Sequence, residues 1–204
     1  MKKQKLIAIA SGVAGLFIAA SAQATAPGPY IGLQAGWANL HQPTFFGNSQ
    51  KGDGIAGTVF GGMQFNEFIG LELGYTKFSN MNISSSGHND LGIPYNNSGN
   101  IKSYATDVVA KLTMPLQNGI SLNGKLGGAY LYEQANIRTT PTIGTSFNQR
   151  KTEDKIMPAF GLGASYDINQ NVTGDISWLH IQAIGNTDLA STDFLGMGLT
   201  YHFG

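Results

Sequence analysis

Apolar and small or polar residues alternate strictly along the segment GIAGTVFGGMQFNEFIGLELGYTKFS, residues 54–79. In its second half, one face carries Ile69, Leu71, Leu73 and Tyr75. The opposite face carries Gly70, Glu72, Gly74 and Thr76. This alternation predicts two strands with different surroundings on their two faces, joined by a turn at Asn66-Glu67. Because the charge of Glu72 lies on the face of small residues, the hairpin is typical of a membrane barrel whose large residues contact lipid.

The same alternation recurs along the chain and predicts eight strands. The other six are Tyr30–Leu40, Ile101–Met114, Ile120–Glu133, Ile156–Asp167, Val172–Ile181 and Asp193–Phe203. Short connections at Asn66-Glu67, Pro115–Gly119 and Ile168–Asn171 alternate with long ones at His41–Gly52, Asn80–Asn100, Gln134–Lys155 and Gln182–Thr192. Short periplasmic turns and long extracellular loops are required of a transmembrane barrel. The pattern therefore predicts an all-β fold, an eight-stranded antiparallel up-and-down transmembrane β-barrel.

The first 24 residues have the pattern of a cleaved signal peptide. Three lysines precede the apolar run Leu6–Ala20, and Ala22-Gln23-Ala24 is typical of a cleavage site. A transmembrane helix is the alternative, but the run is short and rich in small residues. We therefore expect residues 1–24 to direct export and residues 25–204 to form one outer-membrane barrel domain.

Charge and composition exclude several functions. Cleavage would remove three lysines and leave nine basic against twelve acidic side chains, a net charge near −3 that gives no electrostatic basis for nucleic-acid binding. The chain has no cysteine, so thiol chemistry and disulfides are excluded. Four scattered histidines lack metal-ligand spacing, and we expect no metal and no cofactor.

Large aromatic residues fall at the predicted strand ends, where an interfacial belt would lie. Those next to the long connections are Trp37, Tyr75, Tyr104, Tyr132 and Trp178. Those next to short turns or the C-terminus are Phe65, Tyr166, Tyr201 and Phe203. A general preference of aromatics for strands does not explain this clustering at the ends. The pattern predicts two lipid-facing aromatic girdles.

Four charged residues are expected to point into the lumen from mid-strand: Glu72, Lys111, Lys125 and Asp175. They could form an ion gate or a structural plug, and we favour a plug because buried charges require partners in either case. Eight strands enclose no wide aqueous channel, so a small-ion pore is the upper limit.

The outward face suggests a further contact and argues against catalysis. Lys77 and Lys102 lie at the long-loop end of adjacent strands, where they would contact lipopolysaccharide phosphates or extend towards the interface without a specific partner. A lipid A-modifying barrel enzyme would need a His–Ser pair on one face, whereas Ser177 and His180 are an odd number of residues apart. We therefore predict no enzyme activity, with such an enzyme as a remote alternative.

Four motifs carry a resemblance to the OmpA-like transmembrane domain family and its small relatives of the OmpX and opacity-protein type: GGMQFNEFIGLELGY, VVAKLTMPL, SLNGKLGGAYLY and GLTYHFG. The resemblance implies a lumen salt-bridge network in which Glu72 and Lys111 match family positions and Lys125 replaces an arginine. Two positions differ from the family pattern. Ser165 occupies the position where the family has a glutamate, and Asp175 occupies that of the family's gate arginine. We therefore expect Asp175 to pair with Lys111 or Lys125.

The resemblance also implies a location and partners. We expect an integral protein of the Gram-negative outer membrane with a structural or surface-interaction role. The alternative is an adhesin or opacity-type surface antigen that binds a host or envelope partner through its loops. The expected partners are outer-membrane lipid and lipopolysaccharide, the barrel-assembly machinery, and that loop ligand. Phe203 is similar to the family's terminal aromatic assembly signal, and no peptidoglycan-binding role is expected of the residues up to Gly204.

Overall fold

The structure, a computed structural model, describes residues 27–41, 52–88, 94–141, 147–185 and 191–203. The proposed signal peptide lies outside these ranges. The described strands are β1 (Gly28–His41), β2 (Gly52–Gln64), β3 (Ile69–Phe78), β4 (Met81–His88), β5 (Pro94–Pro115), β6 (Ile120–Pro141), β7 (Phe147–Asp167), β8 (Val172–Ile181) and β9 (Ser191–His202). Within the described residues, no helix is long and apolar enough to span a membrane.

Eight of these strands close into an antiparallel barrel. Their order is β3-β2-β1-β9-β8-β7-β6-β5, and pairing of β3 with β5 closes the ring. β4 continues the line of β3 along β5, since β3 pairs with residues 104–112 and β4 with residues 94–101. The predicted eight-stranded up-and-down barrel is therefore confirmed.

The two ends of the barrel differ. The turn end carries the three short connections at residues 65–68, 116–119 and 168–171, together with the start of β1 and the end of β9. Two turns are held by asparagine: Asn66 Oδ1 accepts from the backbone N–H groups of residues 68 and 69, and Asn169 Oδ1 from those of residues 171 and 172, all at 2.9 Å. In the third, Asn118 and Gly119 adopt positive φ angles of 61° and 74°, which these two residue types tolerate.

At the opposite, loop end, three strands are far longer than the sequence pattern predicted. β5 and β6 have 22 residues each and β7 has 21, whereas a membrane crossing needs about 9–11. The prediction that residues 80–100 and 134–155 form loops is wrong for β4 and for these strand extensions. The extensions escaped the prediction because polar residues occupy both faces, and backbone pairing between neighbours does not require an apolar face. Together they form what we call the loop-end sheet: β4 with residues 94–103, 132–141 and 147–155.

The barrel is inverted relative to a soluble protein. Large apolar side chains cover its outside, for example Leu33 (61% exposed), Leu126 (66%) and Leu162 (66%). Small residues make room inside: a Cβ atom at Gly74 would lie 2.6 Å from the carboxylate of Asp107. The faces assigned from alternation agree with this arrangement.

The closed barrel leads to the first testable prediction. Because its backbone hydrogen bonds close on themselves, the purified protein in detergent should resist unfolding until heated. Unheated and boiled samples should migrate differently in SDS gels, with a β-type circular dichroism spectrum before heating. Identical migration of both samples would contradict the closed architecture.

Candidate functional site: lumen and outer rim

The lumen contains an ion pair between β3 and β6, two strands that flank β5 in the barrel. Lys125 Nζ on β6 lies 2.5 Å from Glu72 Oε1 on β3, and the two side chains are 13% and 3% exposed. Tyr30 on β1 donates its hydroxyl to the other carboxylate oxygen at 3.1 Å. Both oxygens of Glu72 therefore have a donor, which is what burial of a charge demands.

Lys111 takes a different environment. Its Nζ lies 4.8 Å from the centre of the Tyr30 ring, and Lys125 Nζ lies 5.3 Å from that of Phe60, so both ammonium groups contact an aromatic face. The ring of His202 lies 5.6 Å from that of Tyr30, and its buried Nδ1 has no hydrogen-bond partner among the described residues. The aromatic rings thus provide part of the lining around the two lysines.

Asp175 is held by neutral donors. Its carboxylate accepts hydrogen bonds from Gln34 Nε2 and, at 3.1 Å, from Thr200 Oγ1, while Ser177 Oγ donates to Gln34 Oε1 at 3.1 Å. The expectation that Asp175 pairs with Lys111 or Lys125 is wrong. The reason lies in Gly198, which stands between Gln34 and Asp175 in the strand register and has no side chain to separate them.

All four predicted lumen residues line one cavity of about 30 Å³. A further set of hydrogen-bonded side chains lines the turn-end side of this cavity. Thr113 Oγ1 donates to Asn123 Oδ1 at 3.1 Å, and Asn123 Nδ2 donates to Ser165 Oγ at 3.0 Å. Ser165 is therefore part of the polar lining. Asp107, which the sequence analysis did not include among the lumen charges, is also a buried carboxylate, only 4% exposed.

Beyond the charged layer, apolar side chains fill the lumen towards the loop end. This cluster, which we call the apolar plug, consists of Ala38, Ala56, Phe78, Ala105, Val109, Ala129, Leu131, Met157, Ala159, Ile181 and Phe194. All eight barrel strands contribute to it, and no member is more than 3% exposed. Sequence reasoning missed the plug, although the alternation that places Glu72 inward also places Phe78 inward.

The aromatic residues expected to form girdles lie on the outer surface. At the loop end, Tyr104 stacks with Tyr75 and Tyr132 at centroid distances of 6.4 and 5.8 Å, next to Lys77 and Lys102, which are both exposed. Trp37 is 67% exposed on the same rim. At the turn end, the exposed rings are Phe65, Tyr166, Tyr201 and Phe203. Their positions fit an interfacial role, which stays a prediction.

The outer rim also holds a polar cluster that the sequence did not suggest. Asp193 Oδ1 accepts from Trp178 Nε1 at 2.9 Å and lies 2.7 Å from His180 Nδ1. Phe160 packs against the His180 ring with centroids 4.9 Å apart. Ser177 is buried in the lumen, so it and His180 lie on opposite faces of β8 and cannot act as a pair.

A closed antiparallel barrel with an apolar exterior and a polar cavity inside defines the class of outer-membrane β-barrels. The family model described as OmpA-like transmembrane domain matches residues 24–204, and the chain belongs to this family. It is 26% identical over 211 residues to outer membrane protein A of Shigella flexneri and 27% over 215 residues to that of Salmonella typhi. Each match covers 99% of this chain but only 56% of the relative.

Solved structures show the same fold at low identity. OprG from Pseudomonas aeruginosa matches with a TM-score of 0.55 and 15% identity, covering 90% of this chain and all of that one (100%). Ail from Yersinia pestis, described as an attachment invasion locus protein, matches with a TM-score of 0.51 and 15% identity over 86% of this chain and 99% of its own. The chain is thus an outer-membrane β-barrel of the OmpA-like family with the same fold as Ail and OprG, and its relatives support an outer-membrane location.

Proposed function

We propose that the barrel is a non-catalytic membrane anchor that stiffens the outer membrane and presents the loop-end sheet as an interaction surface. Residues 1–24 would export the chain as a cleaved signal peptide, leaving residues 25–204 as the barrel domain. The observation that carries the proposal is the length of β5, β6 and β7, which exceeds a membrane crossing by about ten residues each. A protein that only had to close a barrel would not need these extensions.

The charges of the loop-end sheet support a role in recognition. Arg150, Lys151 and Asp154 on β7 are exposed. Arg150 Nη2 donates to Gln134 Oε1 at 3.0 Å, and Lys151 Nζ lies 2.7 Å from Glu153 Oε1. These ordered charges would select the partner.

The register allows this surface to be removed without touching the barrel. Ala135 faces Lys151, and Asn82 faces Asn100. Replacing residues 136–150, or residues 83–99, by Asn-Gly should give a two-residue hairpin turn at each pair. Both variants should keep the heat-dependent gel shift of a folded barrel.

Binding and envelope assays on these variants separate the two parts of the proposal. Cells producing the full chain should bind immobilised matrix protein or host cells, and the shortened chains should lose that binding. Both shortened chains should still restore detergent resistance to a strain lacking the gene. Unchanged binding by both variants would exclude the loop-end sheet as the adhesive surface. Failure of the full chain to restore resistance would exclude the structural role.

The orientation of the barrel gives a further prediction. If the loop end faces outwards, protease added to intact cells should cleave only at the loop end, within residues 80–100 or 134–155 or the two shorter loops 41–52 and 182–192. Mass spectrometry of the fragments identifies the sites. Cleavage at Gln117-Asn118 or Asn169-Gln170, both in turn-end connections, would invert the topology.

Lipopolysaccharide is the proposed lipid partner of the loop-end rim. Lys77 and Lys102 are exposed beside the stacked tyrosines, where ammonium groups would meet lipid A phosphates. The variant Lys77→Gln/Lys102→Gln should co-purify with less lipopolysaccharide than wild type. Lys151→Gln is the matched control, because Lys151 lies two strands from Lys102 and has Glu153 as its ion-pair partner at 2.7 Å, and it should have no effect. If all three proteins co-purify with equal amounts of lipopolysaccharide, the two lysines have no specific lipopolysaccharide contact.

The barrel-assembly machinery is the partner proposed for insertion. Phe203 follows β9 and packs edge-to-face on Tyr201 with centroids 5.0 Å apart, so the end of β9 presents an aromatic pair on the outer surface. Phe203→Ala should lower the amount of heat-modifiable protein in the outer membrane, measured by gel shift of membrane fractions, while Phe65→Ala at the same end should not.

A further inference from the structure

The lumen has two layers of different chemistry, and their order is the same on each barrel strand. On β6, Lys125 lies towards the turn end and Leu131 towards the loop end. On β8, Asp175 and Ser177 precede Ile181 in the same direction. The polar cavity therefore ends where the apolar plug begins.

We infer that the apolar plug, and not the Glu72–Lys125 ion pair, is the barrier that prevents permeation through this barrel. The polar cavity is then a chamber closed on its loop-end side. This inference concerns the lumen alone and does not depend on what the loop-end sheet binds.

The packing of the plug is the first argument. Val109, Ala129 and Ala159 are 0% exposed, and Leu131 and Met157 are 1% exposed. Every barrel strand contributes at least one side chain to this apolar cluster. The buried carboxylate of Asp107 lies among them, between Ala105 and Val109 on β5. The plug side chains themselves offer none of the about two to four polar partners that a buried water needs. An apolar constriction without water blocks ions because they would have to shed their hydration.

The size and chemistry of the charged layer are the second argument. The cavity of about 30 Å³ is large enough for a water molecule, and hydroxyl, amide and charged groups line it. Moving Lys125 away from Glu72 would enlarge this hydrated chamber but would leave Leu131 and Met157 in place above it. Opening the ion pair alone therefore connects the chamber to nothing on the loop-end side.

Planar-bilayer conductance of two double variants tests the inference. Glu72→Gln/Lys125→Gln removes both charges of the pair and leaves the plug intact. Leu131→Ser/Met157→Ser shortens two plug side chains from adjacent strands, supplies hydroxyls for water, and leaves the ion pair intact. Both proteins are first checked for the heat-dependent gel shift. The charge variant should remain as silent as wild type, and the plug variant should give resolved current steps.

Two results would overturn the inference. Current steps in the charge variant would place the barrier in the ionic layer. Silence of a folded plug variant would mean that these side chains do not limit permeation. If the double plug variant does not fold, the single variants Met157→Ser and Leu131→Ser are measured instead. Current steps in either one support the inference, and their absence in both folded proteins contradicts it. The absence of native cysteine allows a second measurement: Ser165→Cys in the chamber should be protected from Ag⁺ added on the loop-end side of the bilayer, and should react once the plug variant is combined with it.

Discussion

Glu72→Gln should lower the free energy of unfolding by roughly 3–5 kcal/mol, the cost of breaking a buried ion pair by removing one partner. The glutamine keeps the shape of the side chain and can still accept the hydroxyl of Tyr30, but it leaves Lys125 charged at 13% exposure without its carboxylate. We expect the lower end of the range, because the adjoining cavity can hold water that solvates the ammonium group. Urea unfolding in detergent micelles or lipid measures the change.

The matched control removes both charges. Glu72→Gln/Lys125→Gln leaves a glutamine pair and no unpaired charge, so its stability should return most of the way to that of wild type. Asp175→Asn should also cost much less than Glu72→Gln, because its partners Gln34 and Thr200 are neutral donors. If Glu72→Gln is as stable as wild type, the contact with Lys125 contributes nothing to holding the lumen together.

Sequence alternation predicted which residues point inward but not which of them meet. The position of Glu72 follows from its neighbours along β3, whereas its partner depends on how β3, β5 and β6 are staggered around the ring. The contact between Gln34 and Asp175 depends on Gly198, a residue on a third strand. Such contacts arise from closure of the barrel, and a single strand carries no signal for them.

The apolar plug escaped sequence analysis for a related reason. Around Leu131 the sequence reads Ala129-Tyr130-Leu131-Tyr132, with large or apolar residues on both faces. Where lipid lies outside and a packed layer lies inside, alternation of apolar and polar residues disappears and the pattern gives no contrast between faces. The loop-end sheet is the opposite case, since polar residues predominate at both alternating sets of positions in segments such as 147–155. Alternation therefore locates the middle of the barrel and fails at the plug and above it.

Leu131→Ala should be the most destabilising truncation among the aliphatic plug residues, with a loss of about 2–5 kcal/mol in the free energy of unfolding. Leu131 is 1% exposed and lies in the register between Ala105 on β5 and Lys155 on β7. The closed hydrogen-bonded ring prevents its neighbours from collapsing into the space left by the truncated side chain. The cost should therefore include a cavity term as well as the lost transfer free energy.

Leu131→Met separates packing from hydrophobicity, because it conserves volume and should cost less than about 1.5 kcal/mol. Both variants are compared by urea unfolding in the same lipid, so that the outer surface contributes equally. A loss for Leu131→Ala no larger than that for Leu131→Met would mean that the loop-end half of the lumen is loosely filled. A loosely filled lumen admits water, so this result would also weaken the assignment of the permeation barrier to the plug. A clear gap between the two variants instead requires a close-packed interior, in which the side chains that seal the lumen also stabilise the barrel.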